Sequence, residues 1–467
     1  MFRPLSAAIA LSATASFLVV APTKAATKPS TQAAAGARCT KVGASASTAN
    51  GVALKCSAKK RWAADTLPAV AVTAVTTSPT TMASTPTPTA TLSPTKSTAN
   101  ITSGCATNVD PSTDYFPEKA SILDATNLQV RYEHNYKVVT VPQVFRGAKA
   151  TSWVLVQCGT PAPKLEGDLA GATVVNVPIA SAAIMSTTLA PSFEIVGTPE
   201  KIVAVDDPQN YSTPSVVKGL AAGTIKGVGN NAKANVESLI ALKPSVVLTY
   251  TFGGADGLDK LRQAGLTVVL EGSSLEQTPL GRAEWTKLVG LLTNREKVAQ
   301  VAYDKLRADY TALATKASAS VRKPVVISGS MYQGTWFMPG GKSFPAQLIR
   351  DAGGAYPWST DTSVGSLSLD LETVLDKAYD ATVWINAGYL WDTLKAPIAE
   401  DARYRNLLSF KADNVWGNDK RVNATGGTDF FETAVVRPDL LLADLVAVLH
   451  PELEPGYTTI WYRHIGR

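Results

Sequence analysis

Residues 235–250 read NVESLIALKPSVVLTY, a pattern that predicts a short amphipathic helix, a Lys-Pro corner and a buried strand that ends at an aromatic residue. The same order recurs far downstream in residues 371–386, LETVLDKAYDATVWIN. Two such units in one chain predict two α/β lobes, each built on a largely parallel sheet. Ligands of such sheets bind beyond the carboxyl ends of the strands, so the residues that follow the strands are the first candidates for a binding site.

The bulk composition excludes several classes of function. The chain has 467 residues, of which 45% are hydrophobic and 18% charged, and a formal net charge of +6. This length allows two or three domains with a substantial core. Basic clusters interleaved with aromatic residues are absent from the sequence, which argues against nucleic-acid binding. The sequence also contains no nucleophile elbow and no dinucleotide fingerprint, so we expect a binding protein with no intrinsic cofactor, and not an enzyme.

Histidine is rare, which bears on metal binding. The three histidines, His134, His450 and His464, are widely separated in the sequence. A transition-metal site made of side chains usually needs several histidines or a carboxylate–histidine cluster. We therefore expect no metal site built from the protein's own side chains.

The N-terminal part of the chain differs in composition from the rest. Residues 1–25 have the positive start, short apolar run and small-residue end of an export signal peptide. Residues 37–63 predict a small module with two cysteines, and residues 66–104, rich in Thr, Ser, Pro and Ala, predict a disordered linker. No later apolar run is long enough to span a membrane, and no cysteine directly follows the signal. We expect an exported protein, periplasmic or at the cell wall, without a lipid anchor.

Four cysteines in an exported chain predict two disulfides. Pairing by proximity in the sequence gives Cys39 with Cys56 and Cys105 with Cys158, although the sequence allows three connectivities. No histidine lies near a cysteine in the sequence, so a nucleophilic thiol is not expected.

The main domain is predicted to begin at Cys105. We expect an N-terminal lobe over residues 105–280, a long bridging helix over residues 281–319 and a C-terminal lobe over residues 320–467. Within the bridge, Thr293-Asn294-Arg295-Glu296 has the spacing of a capping box, which predicts that a new helix starts there.

Aromatic residues follow most of the predicted strands and are the candidate ligand contacts. The set comprises Tyr211, Tyr250, Trp336, Phe337, Tyr389, Trp391, Phe430 and Phe431. The expected cleft has Tyr250 on one side and Trp336 with Trp391 on the other. Arg421, Lys342 or Arg437 could balance an anionic ligand. The neighbouring acids Asp206 and Asp207 are interpreted as a solvated turn at the end of a strand.

Several segments resemble the iron-siderophore and cobalamin class of substrate-binding proteins that feed ABC importers. The resemblance covers most of residues 195–455 and is carried by the two helix–strand units, by the Pro339-Gly340-Gly341 turn and by a closing Arg437-Pro438-Asp439 helix. It implies two Rossmann-like lobes joined by a bridging helix, a ligand cleft between them and an ABC permease as partner. Glu237 and Glu372 match the surface glutamates that dock onto permease arginines in this class; the alternative is that both are helix N-terminal acids favoured by the helix dipole.

The resemblance implies capture of a ferric siderophore or similar bulky iron chelate outside the cytoplasm. Cobalamin or haem is the alternative ligand in the same fold, and haem would need an axial ligand such as Tyr250 or Tyr389. A cell-envelope adhesion or sensor module that has lost transport is the alternative of a different class. We expect a monomer that binds a small-molecule metal chelate and no nucleic acid.

Overall fold

The computed structural model describes residues 45–47, 53–56, 62–64, 98–229, 234–251 and 256–466. The chain divides into two compact units, Met1–Thr91 and Leu92–Arg467. In the first unit three short strands form an antiparallel sheet in the order β1 (Ser45–Ser47), β2 (Ala53–Cys56) and β3 (Trp62–Ala64). The predicted signal peptide, the Cys39–Cys56 pairing and most of the predicted linker lie outside the described residues.

The second unit opens with a four-stranded mixed sheet. Its strands, in spatial order, are β4 (Gln129–Tyr132), β5 (Tyr136–Val141), β6 (Thr151–Gln157) and β7 (Thr173–Val177). The first three strands are antiparallel, and β7 runs parallel to β6. Residues 133–135 connect the antiparallel strands β4 and β5.

A five-stranded parallel sheet follows. Its strands are β8 (Ala182–Ile184), β9 (Ile202–Val205), β10 (Lys226–Gly227), β11 (Val246–Thr249) and β12 (Val268–Leu270), in the spatial order β10-β9-β8-β11-β12. Every pairing in it is parallel. The helices between these strands are α1 (Ala190–Val196), α2 (Pro214–Ala221), α3 (Val236–Leu242) and α4 (Asp256–Gln263). Asn235 caps α3 by accepting a hydrogen bond from the Ser238 amide, and the helix and strand predicted from residues 235–250 are α3 and β11.

The segment predicted as one bridging helix is three consecutive helices: α5 (Pro279–Glu284), α6 (Thr286–Thr293) and α7 (Glu296–Ser318). Asn294 has a left-handed φ of 56° and ends α6. A new helix does begin here, as predicted, but the predicted capping box does not form. The Thr293 hydroxyl donates to the Val289 carbonyl at 2.7 Å, and the Glu296 carboxylate is buried against the Lys137 ammonium at 2.5 Å.

The C-terminal part contains seven short strands and six helices within the described residues. The strands are β13 (Val326–Ser328), β14 (Met331–Tyr332), β15 (Thr335–Pro339), β16 (Ser366–Leu369), β17 (Val383–Ile385), β18 (Trp416–Gly417) and β19 (Arg463–His464). The helices are α8 (Phe344–Asp351), α9 (Leu371–Lys377), α10 (Lys395–Glu400), α11 (Leu408–Lys411), α12 (Thr433–Val436) and α13 (Pro438–Leu449). Strands β13 and β17 are parallel, isolated parallel bridges join Val325 to Ala355 and Trp384 to Val415, and β14, β15 and β16 form an antiparallel sheet.

Two large hydrophobic cores organise this unit. The first core holds buried residues between Tyr115 and Ala299, and the second core holds buried residues between Tyr310 and Ile465. Helix α7 contributes Ala299 to the first core and both Tyr310 and Ala317 to the second. Because α7 packs into both, it is a continuous element that connects the two cores.

Buried carboxylates on helices α5 and α7 accept hydrogen bonds from the first residues of the second unit. Glu284 accepts hydrogen bonds from the amides of Leu123, Asp124 and Ala125. The Asn100 amide group donates to Glu296 at 2.8 Å, so residues 98–104 are part of the folded unit and the predicted linker ends before Gly104. Cys105 and Cys158 form a disulfide, which is one of the two pairings expected from the sequence. No helix within the described ranges is long and apolar enough to cross a membrane.

Candidate functional site

Three strands of the five-stranded sheet end in polar residues at one edge. Asp206 and Asp207 follow β9, Tyr250 follows β11 and Glu271 follows β12. Since the strands are parallel, their carboxyl ends meet at the same edge. We call these four residues the acidic edge.

The acidic edge is partly shielded from solvent, and its pKa values reflect this. Burial raises the pKa of Asp206 to about 6, although the Tyr211 hydroxyl donates to its carboxylate at 2.6 Å and opposes the rise. Burial also raises the pKa of Glu271. The interpretation of Asp206 as part of a solvated turn is therefore wrong.

Tyr250 lies among these carboxylates and is only partly buried. Its pKa is raised by burial and then by the negative charges of Asp206, Glu271 and Asp207. The phenol is therefore held in its neutral form, and the local potential at this edge is negative.

Tyr211 does not face an open cleft. Its side chain is only 1% exposed, and its hydroxyl bonds to Asp206. Tyr211 therefore orients Asp206 from within the core, which corrects the expectation that it lines the ligand site.

The second core presents a different set of groups after β17. Asn386 has a left-handed φ of 49°; its amide donates to the Ser328 hydroxyl, and its side-chain oxygen accepts from the Tyr462 hydroxyl at 3.0 Å. Three residues later, Tyr389 is 50% exposed and its hydroxyl donates to the Gly426 carbonyl. The strand end thus leads directly to an exposed aromatic ring.

The segment 421–431 adds a cation and two more aromatic rings. The half-exposed Arg421 pairs with the buried carboxylate of Asp429 at 3.2 Å. Phe430 and Phe431 pack edge to face with ring centroids 5.3 Å apart, and Phe430 also packs on Tyr462. Phe431 is the more exposed of the two. We call Tyr389, Arg421, Phe430 and Phe431 the aromatic wall.

The acidic edge and the aromatic wall are close neighbours. The segment 209–213, which follows β9, is hydrogen-bonded to the segment 423–432 of the second core. Since Tyr389 bonds to Gly426 in the same segment, the two sets of groups lie on either side of one junction. The fold therefore brings Tyr250, Tyr389, Arg421, Phe430 and Phe431 to one region of the molecule.

Two of the predicted aromatic contacts are core residues instead. Trp336 is fully buried, and its indole N–H donates to the Ser328 carbonyl at 2.8 Å. Trp391 is 5% exposed and packs edge to face on Trp384. Together with Tyr404, these three tryptophans form an aromatic cluster inside the second core, so the expectation that Trp336 and Trp391 face Tyr250 across a cleft is wrong.

Phe337 is the neighbour of Trp336 on β15 and points to the opposite face. It is 48% exposed and pairs in register with Ser368. No hydrogen bond or ring contact in the described part of the chain connects it to the aromatic wall.

Two basic candidates do not support an anion site. Arg437 pairs with Asp439 at 2.6 Å and lines a separate apolar cavity of about 520 Å³ between α7 and α13. Lys342 is exposed in the turn before α8. Of the predicted cations, only Arg421 lies in the aromatic wall.

Glu237 and Glu372 occupy equivalent local positions. Each is an exposed residue in the first turn of a seven-residue helix whose N-cap is an Asn or Asp: Asn235 for α3 and Asp370 for α9. Each helix precedes a central parallel strand, β11 or β17. Glu372 differs in that Arg403 contacts its carboxylate.

Sequence reasoning missed Glu271 and Glu432. Glu271 directly follows the apolar run Val268–Leu270, so the strand-end rule that selected aromatic residues would have found it. Glu432 is fully buried and bonds to Ser212 and Thr213, about 220 residues away in the chain, so no local pattern indicates its role.

Comparison with known proteins gives a family match and several distant relatives. A family model described as periplasmic binding protein matches residues 183–415, about half of the chain. An uncharacterized lipoprotein of Methanocaldococcus jannaschii is 24% identical over 366 residues, which cover 74% of this chain and 82% of the relative. A second uncharacterized lipoprotein of that organism is 23% identical over 277 residues, which cover 57% of this chain and 66% of the relative.

Solved structures with similar folds include two bacterial proteins. A periplasmic heme binding protein from Pseudomonas aeruginosa is 19% identical, with a TM-score of 0.46 over 61% of this chain and 97% of that one. The periplasmic vitamin B12 binding protein of Vibrio cholerae is 20% identical, with a TM-score of 0.43 over 60% of this chain and 99% of that one.

Proposed function

Because the chain belongs to the periplasmic binding protein family, whose members are substrate-binding proteins of ABC importers and not enzymes, we propose that it captures a bulky metal chelate outside the cytoplasm for import. The two cores act as the two lobes, α7 is the bridge between them and the ligand lies between the acidic edge and the aromatic wall. The observation that carries the proposal is the junction of the segments 209–213 and 423–432, which holds these two sets of groups next to each other.

The aromatic wall supports a large and partly apolar ligand. Tyr389 and Phe431 leave half or more of their surface exposed in the free protein. Large exposed apolar patches on soluble proteins often mark binding sites. Rings with a polar tip, such as Tyr389, bind ligands that have both apolar and polar parts.

The acidic edge supports a neutral or cationic ligand over a strongly anionic one. The pKa of Tyr250 is raised by burial first and then by the charges of Asp206, Glu271 and Asp207, so a negative ligand charge placed beside that phenol would be repelled. A ferric hydroxamate, which is neutral or cationic, or a corrinoid fits this potential. A ferric tris-catecholate is strongly anionic and does not, and Arg421 is already paired with Asp429.

Haem is the second candidate because an exposed tyrosine is available as an axial ligand. Ferric haem prefers a phenolate ligand, and the raised pKa of Tyr250 opposes formation of that phenolate. Tyr389 is the better placed of the two, since its ring is exposed. Haem binding would require the Tyr389 hydroxyl to leave the Gly426 carbonyl.

Docking on a permease through Glu237 and Glu372 is the partner part of the proposal. A negative charge on each core, at the same position of equivalent helices, could steer and orient the protein on a two-fold symmetric permease. The adhesion or sensor alternative needs no permease contact, so removal of both charges separates the two functions.

Ligand titration followed by intrinsic fluorescence tests the proposal. Ferric desferrioxamine B, cyanocobalamin, haemin and a ferric tris-catecholate are each added to the purified protein. We expect saturable quenching by one of the first three and none by the catecholate. Absence of quenching by all four, confirmed by calorimetry, would reject the proposal and favour the envelope module.

Matched variants locate the site. Tyr389→Ala should weaken binding, whereas Tyr379→Ala, which removes another exposed ring of the second core, should not. Asp207→Asn should weaken binding of a cationic chelate. The control Asp259→Asn removes the same charge from α4, away from the acidic edge, and should leave binding unchanged. Equal effects within either pair would show that the ligand binds elsewhere.

A further inference from the structure

Hydrogen bonds connect the two cores in addition to the packing of helix α7. Segment 209–213 of the first core and segment 423–432 of the second share six hydrogen bonds, all between residues more than 200 positions apart. We call this set of bonds the clasp. It lies directly beside the residues that form the acidic edge and the aromatic wall.

Glu432 provides one half of the clasp. Its carboxylate accepts the Ser212 amide at 2.6 Å, the Thr213 amide at 3.0 Å and the Thr213 hydroxyl. The side chain is fully buried, so these donors replace the water that a carboxylate would otherwise bind. All three hydrogen bonds cross from one core to the other.

Asn423 provides the other half. Its amide donates to the Gln209 and Tyr211 carbonyls, both at 2.9 Å. Its side-chain oxygen accepts the amides of Thr425 and Gly427, so the Asn423 side chain is fixed within its own loop before it reaches across.

The close approach at this point requires a glycine. A Cβ on Gly427 would lie 2.6 Å from the Asn423 amide nitrogen and 2.7 Å from the Asn210 carbonyl oxygen. No side chain can be added there without separating the two segments. The local sequence is therefore fitted to hold the cores together.

We propose that Glu432 and Asn423 are positioning residues: they set the spacing of the two cores and thereby the affinity for the ligand, without contacting the ligand. This inference rests on the proposed function for its binding part only. Glu432 and Asn423 lie beyond the segment 183–415 that matches the family model, whereas their partners in residues 209–213 lie within it.

The expected effect on affinity follows from population arithmetic. If the clasp breaks, the cores sample wider spacings, and the fraction of molecules with both walls at the binding distance falls. A fall of that fraction to about one tenth weakens the apparent affinity about tenfold, although every ligand contact is retained.

The test compares two clasp variants with a matched control. Glu432→Gln replaces one acceptor oxygen with an amide that faces an N–H group, and Asn423→Ala removes the other half independently. The control is Asp444→Asn: Asp444 is also a buried carboxylate that accepts three backbone amides, those of Ile460, Trp461 and Tyr462, but all of them lie in the second core. All three variants should lose stability, and only the first two should alter the spacing.

Spacing is measured without any ligand. Spin labels are attached at Ile240→Cys and Tyr379→Cys, two exposed positions on different cores, and their separation is measured by pulsed electron paramagnetic resonance. Hydrogen exchange of the Ser212 and Thr213 amides reports the clasp directly. We expect a broader distance distribution and faster exchange in Glu432→Gln, a broader distribution in Asn423→Ala, and no change in either readout for Asp444→Asn.

Affinity is then measured for the probe, ferric desferrioxamine B or cyanocobalamin, that quenches the unmodified protein. Unchanged distances in both clasp variants would overturn the inference, as would altered distances with unchanged affinity. Weaker binding with unchanged distances would instead make Glu432 a direct ligand contact. If no probe binds the unmodified protein, the proposed function fails while the distance and exchange measurements still decide whether the clasp sets the spacing.

Discussion

Replacing Trp336 by alanine should unfold part of the protein population and should leave the binding site of the folded molecules intact. The indole is fully buried among Trp384 and Tyr404, and a tryptophan of this kind buries about 200 Å². At about 25 cal/mol per Å² the lost burial is worth about 5 kcal/mol, which is an upper value because unfolded chains are themselves partly compact. Measured tryptophan-to-alanine changes in cores cost about 3–5 kcal/mol, and we expect about 4 kcal/mol here.

Urea unfolding followed by circular dichroism measures this loss, with Phe337→Ala as the matched control. Phe337 is the next residue on the same strand but faces outward, so its removal should cost less than about 1 kcal/mol. Binding is measured on the folded fraction, or in the milder variant Trp336→Phe if the alanine variant does not fold. A loss below about 1 kcal/mol in Trp336→Ala together with abolished binding would refute the core assignment and return Trp336 to the ligand site.

Three further predictions concern pH, a buried ion pair and transport. Burial raises the pKa of Glu432 to about 7, and the negative charge of Asp429 on the same segment adds to the rise. The folded state therefore binds more protons than the unfolded state between about pH 4.5 and pH 7, so the free energy of unfolding should fall as the pH rises through this window. The fall should be less steep in Glu432→Gln. Lys137→Met should cost about 3–5 kcal/mol in urea unfolding, because it leaves the buried Glu296 without its cation, whereas Lys297→Met, at an exposed pair, should cost less than about 1 kcal/mol. Alanine at both Glu237 and Glu372 should abolish ligand-dependent stimulation of the permease ATPase in proteoliposomes without changing ligand affinity; full stimulation would remove both glutamates from docking.

Much of the fold is predictable from the sequence because its signals are local. In residues 235–250 the apolar residues first recur with the helical period of 3.6 residues and then form a continuous run, which predicts a helix followed by a buried strand. These two elements are observed as α3 and β11. The start of a new helix at Glu296 is predicted from residues 293–296, whereas the separation of α5 from α6 is not. Helix α6 ends at Asn294, which has a left-handed conformation, and Glu296 forms an ion pair with Lys137 instead of capping the helix.

The candidate site is less predictable because it depends on which face of an element a side chain occupies. Position after a strand selects Trp336 and Phe337 equally, yet one is fully buried and the other is half-exposed. The same rule selects Tyr211, which is buried and whose hydroxyl donates a hydrogen bond to Asp206. Burial of an aromatic residue is decided by contacts between distant segments, which no local pattern contains.

Part of the proposed site lies outside the segment that matches the family model, and this bears on which ligand the proposed site would select. The acidic edge and Tyr389 of the aromatic wall lie within the segment that matches the family model, whereas Arg421, Phe430 and Phe431 lie after its end at residue 415. In the proposed site the acidic edge would limit the charge of a ligand, and the aromatic wall would limit its size and polarity. If the ligand is a metal chelate, its charge class is therefore selected by the segment this chain shares with its family. Selection among chelates of similar charge then depends on the wall and on the clasp that holds the wall at its distance.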